Sequence, residues 1–139
     1  MTGNSPAPPL SHVDLLGRPL FAHLATARPD GSQQSSVMWF DWNGERLRFT
    51  HTNGRQKFAN LTNESRVAGS IVDPENPYRF LEVRGTVERI DPDPAAAFYR
   101  TLQQQYGNKY DITDAAGRVV ISVRPSRYIR VDRGEVDNT

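Results

Sequence analysis

The sequence predicts a mainly β fold, a closed antiparallel barrel of six strands with helices at its side and ends. Two turn signals and the scarcity of helical patterns support this prediction. "RPDG" (28–31) is typical of a turn in which proline sets one dihedral and glycine takes the left-handed position. "NG" (43–44), between two apolar runs, strongly indicates a hairpin. The clearest helical pattern is at 91–107, so strands joined by short connections dominate the chain.

The first half of the chain is predicted to begin with a helix and continue as a strand meander. Leu10, Val13 and Leu16 have helical spacing over residues 10–19, with Leu15 as an alternative to Leu16. Ser11 can cap this helix, and Gly17 ends the pattern. Apolar alternation and composition then predict strands at 21–27, 33–42 and 45–52 and a short helix at 54–61.

The second half is predicted to contain three more strands and the clearest helix. The strands are at 66–73, 78–90 and 118–131, and the helix is at 91–107. Gly85, in the middle of a long strand, indicates a bulge or a close backbone approach. Asp91 or Asp93 can cap the helix and Gly107 can end it. Its inward stripe is predicted to be Phe98, Leu102 and Tyr106.

Composition restricts the class of protein. The 139 residues suit one domain spanning 1–139, and residues 1–9 and 133–139 resemble loose ends. The net charge of +1 argues against a protein whose main task is nucleic-acid binding. The lack of cysteine excludes disulfides, thiol nucleophiles and thiolate metal sites. The sequence lacks a signal-peptide core and a run that could span a bilayer, so we expect a cytoplasmic protein.

The sequence shows no conventional catalytic pattern. His12, His23 and His51 lie in three different predicted elements without metal-ligand spacing, so no metal site is expected. The glycines form neither a dinucleotide-binding fingerprint nor a nucleophile elbow. The carboxylates of "DPENP" and "DPDP" sit at turns and caps, where a structural role is favoured. The catalytic residues therefore remain unassigned.

The segment "FTHTNGRQKFANL" (49–61) carries the strongest indication of a binding site. Thr50, Thr52, Arg55 and Lys57 surround the start of a predicted helix. The N-terminus of a helix binds anions, above all phosphate, whereas cations there are mildly unfavourable unless an anion is present. A solvated basic edge without a ligand is the alternative explanation.

Aromatic residues near this segment favour a cofactor that contains a ring. Trp39 and Phe40 belong to the strand predicted to pair with 45–52, and Tyr78, Arg79 and Phe80 open a later strand. Flat aromatic surfaces beside a phosphate anchor would suit such a cofactor. The alternative is that Phe80 and some of the other aromatic side chains simply belong to the core.

Three segments carry a resemblance to a known family. They are "HLATARPDGSQQSSVMWFDWNGERLRFTHTNGRQKFANL" (23–61), "SRVAGSIVD" (65–73) and "LEVRGTVE" (81–88). The chain resembles the split β-barrel flavin and deazaflavin oxidoreductases, the relatives of pyridoxamine 5′-phosphate oxidase, over about residues 10–131. Within them it is most similar to a small actinobacterial group that uses coenzyme F420, a deazaflavin. The strand, turn and K-x-x-N-L segment is the most specific part of this resemblance.

The resemblance implies a homodimer with two cofactor sites at its interface. It also implies hydride transfer from reduced F420 to an electron-poor small molecule. Lys57 would bind the cofactor phosphate, 34–39 would line the ring and ribityl chain, and 78–80 would reach in from the other subunit. The full set of predicted cofactor-binding residues is Gln34, Ser36, Val37, Met38, Trp39, Thr50, Thr52, Arg55, Gln56, Lys57, Asn60, Tyr78, Arg79 and Phe80.

Two departures from the family pattern bear on the cofactor. The FMN-type pattern has Ser and then Arg before the Lys, and these positions are Arg55 and Gln56 here. The C-terminal "RPSRYIRV" does not match the motif that binds pyridoxal phosphate. Both departures argue against vitamin B6 oxidation and favour the deazaflavin over FMN. An FMN enzyme of the same fold, or a carrier of flavin, deazaflavin or haem without turnover, remains the alternative.

Overall fold

A computed structural model describes residues 5–54, 56–132 and 135–138, with the backbone alone for 56–57 and 135–138. These residues form an antiparallel sheet with two α-helices and two short 3-10 helices. The strands are β1 (Ala22–Ala27), β2 (Gln33–Met38), β3 (Phe40–Trp42), β4 (Leu47–Thr52), β5 (Arg66–Val72), β6 (Arg79–Pro92), β7 (Arg118–Asp132) and β8 (Glu135–Asn138). The helices are α1 (Gln56–Asn63) and α2 (Ala97–Tyr106), and the 3-10 helices are Val13–Leu16 and Ala115–Gly117.

The order of the strands shows why the sheet closes on itself. Neighbouring strands follow the order β2-β1-β5-β6-β7-β4-β3, and β8 adds to β7. The strands at the two ends of this path, β2 and β3, are consecutive in the chain and only Trp39 separates them. The two edges must therefore approach each other at Trp39, which bends the sheet into a split barrel. The predicted antiparallel barrel with flanking helices is confirmed.

The core lies inside this curved sheet. Leu47 and Phe49 of β4 are buried, and the Phe49 ring lies 6.4 Å from that of Phe40. In β6 the side chains of Leu81 and Val83 are buried, whereas Phe80 is half-buried, so the face with Leu81 and Val83 points into the core. Alternate residues of β1, β5 and the first half of β7 supply much of the rest of the core, as the two-residue period of a strand requires.

The strand predicted at 33–42 is two strands, a difference that concerns the site directly. β2 pairs with β1, whereas β3 pairs with β4. The chain changes partners at Trp39 because an uninterrupted strand could not pair with both edges of the split barrel. The hairpin turn at 43–44 is confirmed, with Gly44 at a φ of +97°.

The helix predicted at 10–19 is only one 3-10 turn, Val13–Leu16. The ring of His12, just before it, is fixed at both nitrogens in the buried interior. Ser11 Oγ donates to Nδ1 at 2.7 Å, and Nε2 donates to the Val131 carbonyl at 3.0 Å. These contacts hold the segment against β7, and Gly17 follows within one turn, so a longer helix has no room to form.

The main helix also starts later than residue 91, because β6 remains paired with β7 as far as Pro92 and Val119. Asp93 still acts as the cap. Its carboxylate accepts hydrogen bonds from the backbone N–H groups of Ala97 at 2.9 Å and Phe98 at 3.2 Å. Gly107, at a φ of +67°, ends α2 as predicted.

The chain ends differ in part from the expected loose ends. Residues 135–138 pair with β7 as β8, so the expectation for them was wrong. Residues 1–4, 133, 134 and 139 lie outside the described part of the chain. Within the described part, neither helix is long and apolar enough to cross a membrane.

Gly85 lies at a break in the register between β6 and β7, as its position in the sequence predicted. The register shifts between Arg84 and Gly85. A Cβ atom on Gly85 would overlap the Arg124 carbonyl oxygen and lie 2.9 Å from Val123 Cγ1. The two longest strands therefore require glycine here.

We expect Gly85→Ala to lower the free energy of unfolding by about 1–3 kcal/mol, because the added methyl group forces the paired backbones apart. Gly69→Ala is the control, since a Cβ atom there meets only Leu24 Cδ1 at 3.9 Å, an ordinary contact. Urea unfolding of both variants measures the difference. Equal stability of the two variants would contradict the close approach at Gly85.

Candidate functional site

A cavity of about 360 Å³ lies where β2 and β4 end, at the split in the barrel. It brings together five of the residues predicted from sequence, namely Val37, Met38, Trp39, Thr50 and Thr52. The remaining lining residues are Phe21, His51, Tyr99, Asn108 and Arg118. The strand predicted to bind the ring and the strand that leads to the helix predicted to bind phosphate thus share one cavity.

One wall of the cavity is aromatic. The Trp39 ring stacks on Tyr106, with centroids 5.0 Å apart and 17° between the planes. Tyr99 lies 5.8 Å from Trp39. The Tyr106 hydroxyl donates to the Leu20 carbonyl at 2.5 Å and accepts from the Phe40 N–H at 3.1 Å. Burial raises the pKa of Tyr106, so the neutral phenol holds α2 against the junction of β2 and β3.

A second cavity of about 550 Å³ adjoins the first and shares Phe21, Trp39 and Asn108 with it. Tyr110, 80% exposed, lies along its edge. Phe21 is 52% exposed, which is unusual for a large apolar side chain. Together the two cavities could hold a planar group that is too long for either cavity alone.

The polar part of the lining includes Arg118, the first residue of β7. Its guanidinium carbon lies 4.0 Å from the centre of the Tyr99 ring. Asp114 accepts from Nε and Nη2 at 3.1 Å each. The sequence did not single out Arg118, Tyr99 or Asn108, because their place in the cavity depends on which strands pair.

Helix α1 begins close to this part of the lining. It starts at Gln56, four residues after Thr52, and the Asn53 N–H donates to the Gly117 carbonyl at 3.0 Å. This bond fixes the turn before the helix against the start of β7. The predicted roles of the side chains of Arg55, Gln56 and Lys57 lie outside the described residues.

Asn60, further along α1, is completely buried and connects the helix to β1 and β2. Its Nδ2 donates to Gln34 Oε1 at 3.1 Å and approaches Thr26 Oγ1 at 3.4 Å. Gln34 and Asn60 were both predicted to bind the cofactor, and the structure brings them together. Ser36, half-buried in β2, faces Leu24 in the pairing of β1 with β2.

The last predicted group, residues 78–80, does not line the cavity within one chain. Tyr78 is 69% exposed, and Phe80 pairs with Val72 in the sheet. Arg79 forms ion pairs with Asp14 and with Asp73, the latter at 2.9 Å. These contacts connect the N-terminal segment to the turn between β5 and β6. A contribution of these three residues to the site of another subunit stays a prediction.

The chain matches a known protein family over nearly its whole length. The family model for pyridoxamine 5′-phosphate oxidase matches residues 11–132, nearly the whole chain. The chain belongs to this family. The resemblance to split-barrel flavin and deazaflavin proteins is therefore confirmed.

The chain is also similar to solved structures. A protein named F420 Reductase is 52% identical, with a TM-score of 0.85 over 87% of this chain and 98% of that one. No curated protein sequence matches the chain significantly.

More distant structures share the fold alone. General Stress Protein 26 from Bacillus anthracis is 16% identical, with a TM-score of 0.68 over 91% of this chain and 95% of that one. A haem-binding protein from Mycobacterium smegmatis is 22% identical, with a TM-score of 0.65 over 86% of this chain and 52% of that one. The fold therefore occurs in proteins whose names indicate different roles.

The hydrogen bonds that the Asp73 carboxylate accepts predict a pH dependence of stability. The pKa of Asp73 is lowered to about 2, chiefly because the Glu75 N–H donates to its carboxylate, with Arg79 as a further cause. A lowered folded pKa means that the stabilisation is complete above the pKa of the unfolded state, near 3.8, and is lost as the pH falls towards 2.

We therefore expect Asp73→Asn to be less stable than the wild type at pH 7, with a difference that shrinks between about pH 4 and pH 2. Urea unfolding across this range measures the difference. Asp111→Asn, at an exposed position, is the control for removal of one carboxylate. A constant difference from pH 7 to pH 2 would contradict the lowered pKa of Asp73.

Proposed function

We propose that the protein is an F420-dependent reductase that transfers a hydride from reduced deazaflavin to an electron-poor small molecule. The observation that carries this proposal is the cavity between β2 and β4 in a chain 52% identical to a protein named F420 Reductase. Conjugated enones, quinones and tetrapyrroles are the acceptor classes that we expect.

The described residues fit a deazaflavin in both shape and chemistry. Trp39 and its stacked neighbour Tyr106 offer a flat apolar surface for a ring. The edge of β2 carries backbone N–H and C=O groups that could bind the polar edge of the ring, since β2 is paired on one side only, with β1. Arg118 and Thr50 supply polar groups to the lining of the same cavity.

The start of α1 would hold the phosphate of the cofactor. The helix N-terminus offers free backbone N–H groups, and its sequence supplies Arg55 and Lys57 as cations, with Gln56 and Thr52 beside them. The first turn of the helix contains no acidic residue that would repel an anion. We assign Lys57 as the principal phosphate ligand.

Bound F420 supplies the hydride, so the protein's task is to bind, orient and shield the reacting groups. Trp39 and Tyr106 would keep the ring plane fixed, because both side chains are held in a rigid stack. Water would be excluded from the ring by the cavity walls and by a second subunit. We include that second subunit in the proposal, with Tyr78, Arg79 and Phe80 approaching the cofactor of the other chain.

Exposed apolar side chains support such a dimer. Val37, 61% exposed, and Phe21, 52% exposed, both line the cavity, and Tyr78 is 69% exposed. Large apolar groups at the mouth of a cavity are typical of surfaces that another chain or a ligand covers. Light scattering after size-exclusion chromatography tests the dimer directly.

Fluorescence titration of the purified protein with oxidised F420 tests the cofactor. We expect saturable binding, and we expect Lys57→Ala to weaken it roughly tenfold to a hundredfold, because a hydrogen bond to a charged phosphate is lost. Arg89→Ala is the control, since Arg89 is an exposed cation that pairs with Asp91. Undiminished binding by Lys57→Ala would refute the phosphate assignment.

Parallel titrations with FMN and haem separate the proposal from its alternatives. F420 should bind more tightly than either compound, because the positions of the FMN-type Ser-Arg pair are Arg55 and Gln56 here. Tighter binding of FMN would make the protein a flavin enzyme or a flavin carrier. Binding of F420 without turnover of menadione or 2-cyclohexen-1-one would favour a carrier.

A further inference from the structure

Arg118, which lines the cavity, is held in one position by three contacts. Asp114 accepts from its Nε and Nη2, and the Tyr99 ring lies against the guanidinium face. The Arg118 side chain is only 14% exposed. Asp114 leaves both N–H groups of Nη1 and one of Nη2 unused, and a guanidinium fixed in this way presents them with little further loss of side-chain entropy.

Nη1 keeps both of its N–H groups for a ligand. Among the described residues its contact is with Thr50 Oγ1 at 3.5 Å, which is long for a hydrogen bond. Thr50 is only 7% exposed, yet it lines the same cavity as Arg118. Two hydrogen-bonding groups from adjacent strands therefore meet at one point of the cavity wall.

The charges of Arg118 and Asp114 indicate which kind of ligand group can bind beside them. Asp114 offsets the positive charge of Arg118, so a second carboxylate or a phosphate would meet little net attraction. A neutral oxygen acceptor suits the site better, because Nη1 and the Thr50 hydroxyl can both donate to it. The aromatic residues Trp39 and Tyr99 in the same cavity favour a planar partner.

We propose that Arg118, with Thr50, binds a carbonyl oxygen of a planar conjugated ring compound in this cavity. The inference rests on the proposed function, which provides two sources of such an oxygen. One is a ring carbonyl of the deazaflavin, and the other is the carbonyl of a quinone or enone acceptor. Arg118 is a specificity-determining residue in either case, and Asp114 and Tyr99 are the residues that position it.

Arg48 offers a closely matched control. It pairs with Asp41, with distances of 2.9 and 2.6 Å, and its guanidinium lies 5.0 Å from the Phe98 ring. Arg48 thus has the same kind of carboxylate and aromatic partners, and Phe98 adjoins Tyr99 in α2. It is not among the residues that line the cavity.

The experiment compares Arg118→Gln with Arg48→Gln in two binding assays. The first titrates oxidised F420 by its fluorescence. The second titrates menadione without cofactor and follows quenching of tryptophan fluorescence, since Trp39 lines the cavity. We expect Arg118→Gln to weaken at least one of the two ligands roughly tenfold or more, and Arg48→Gln to change neither by more than about twofold.

The two assays identify the source of the carbonyl. A loss confined to F420 assigns the oxygen to the cofactor, and a loss confined to menadione assigns it to the acceptor. Arg118→Lys should lose binding as well, because an ammonium group cannot keep the bidentate contact with Asp114 and also supply Nη1. Full binding by Arg118→Lys would show that charge alone matters and would overturn the inference.

Thermal unfolding of each variant separates binding from stability. Thr50→Val is the second test, should Arg118→Gln not fold, because it removes the other donor and keeps the branched shape of the side chain. We expect Thr50→Val to weaken the binding of F420 or of menadione several-fold. Unchanged binding of both ligands by the folded variants overturns the inference but leaves the proposed function intact. Failure of the wild type to bind F420 overturns the proposed function, and that result is visible before any variant is compared.

Discussion

The single-residue connection between β2 and β3 is the constraint on which the rest of the structure depends. Because these two strands occupy opposite ends of the sheet order, the connection at Trp39 draws the edges together. The barrel closes there without a complete ladder of hydrogen bonds, and a cavity remains between β2 and β4. Tyr106 stabilises this junction because its hydroxyl accepts from the N–H of Phe40, the first residue of β3, and donates to the carbonyl of Leu20, just before β1.

Helix α2 is held across this junction by two similar sets of contacts. Arg48 approaches Phe98 and pairs with Asp41, whereas Arg118 approaches Tyr99 and pairs with Asp114. Half-exposed ion pairs contribute little free energy by themselves, and cation–π contacts add about 0.5–2 kcal/mol each. Their main effect is geometric, because they fix α2 relative to β4 and β7, and only the set around Arg118 and Tyr99 belongs to the cavity lining.

How far the sequence could predict this structure depends on whether a feature is local. The turns at 28–31 and 43–44, the Gly107 helix end and the Asp93 cap were predictable because proline, glycine and aspartate fix nearby dihedrals or hydrogen bonds. The role of Gly85 was visible for the same reason. The break at Trp39 and the late start of α2 follow from strand pairing, which the local pattern does not encode.

The residues of the candidate site also divide into those that the local sequence predicts and those that depend on strand pairing. Val37, Met38, Trp39, Thr50 and Thr52 were predicted as site residues, and the structure places them in one cavity. The sequence alone does not identify Arg118 as a site residue, because Arg118 reaches the cavity only through the pairing of β7 with β4, where it lies opposite Thr52.

The distribution of charge around the site gives a reason to prefer a flavin-like ligand over haem. At the cavity wall the cation Arg118 is offset by Asp114, which suits neutral oxygens. At the start of α1, the sequence supplies Arg55 and Lys57 without an acid in the first turn, which suits an anion. Flavins and deazaflavins carry neutral ring carbonyls at one end and a phosphate at the other. Haem carries its two carboxylates on one edge of an otherwise apolar ring, so it would leave the donors of Arg118 and Thr50 without acceptors, at a cost of about 1–3 kcal/mol for each buried group.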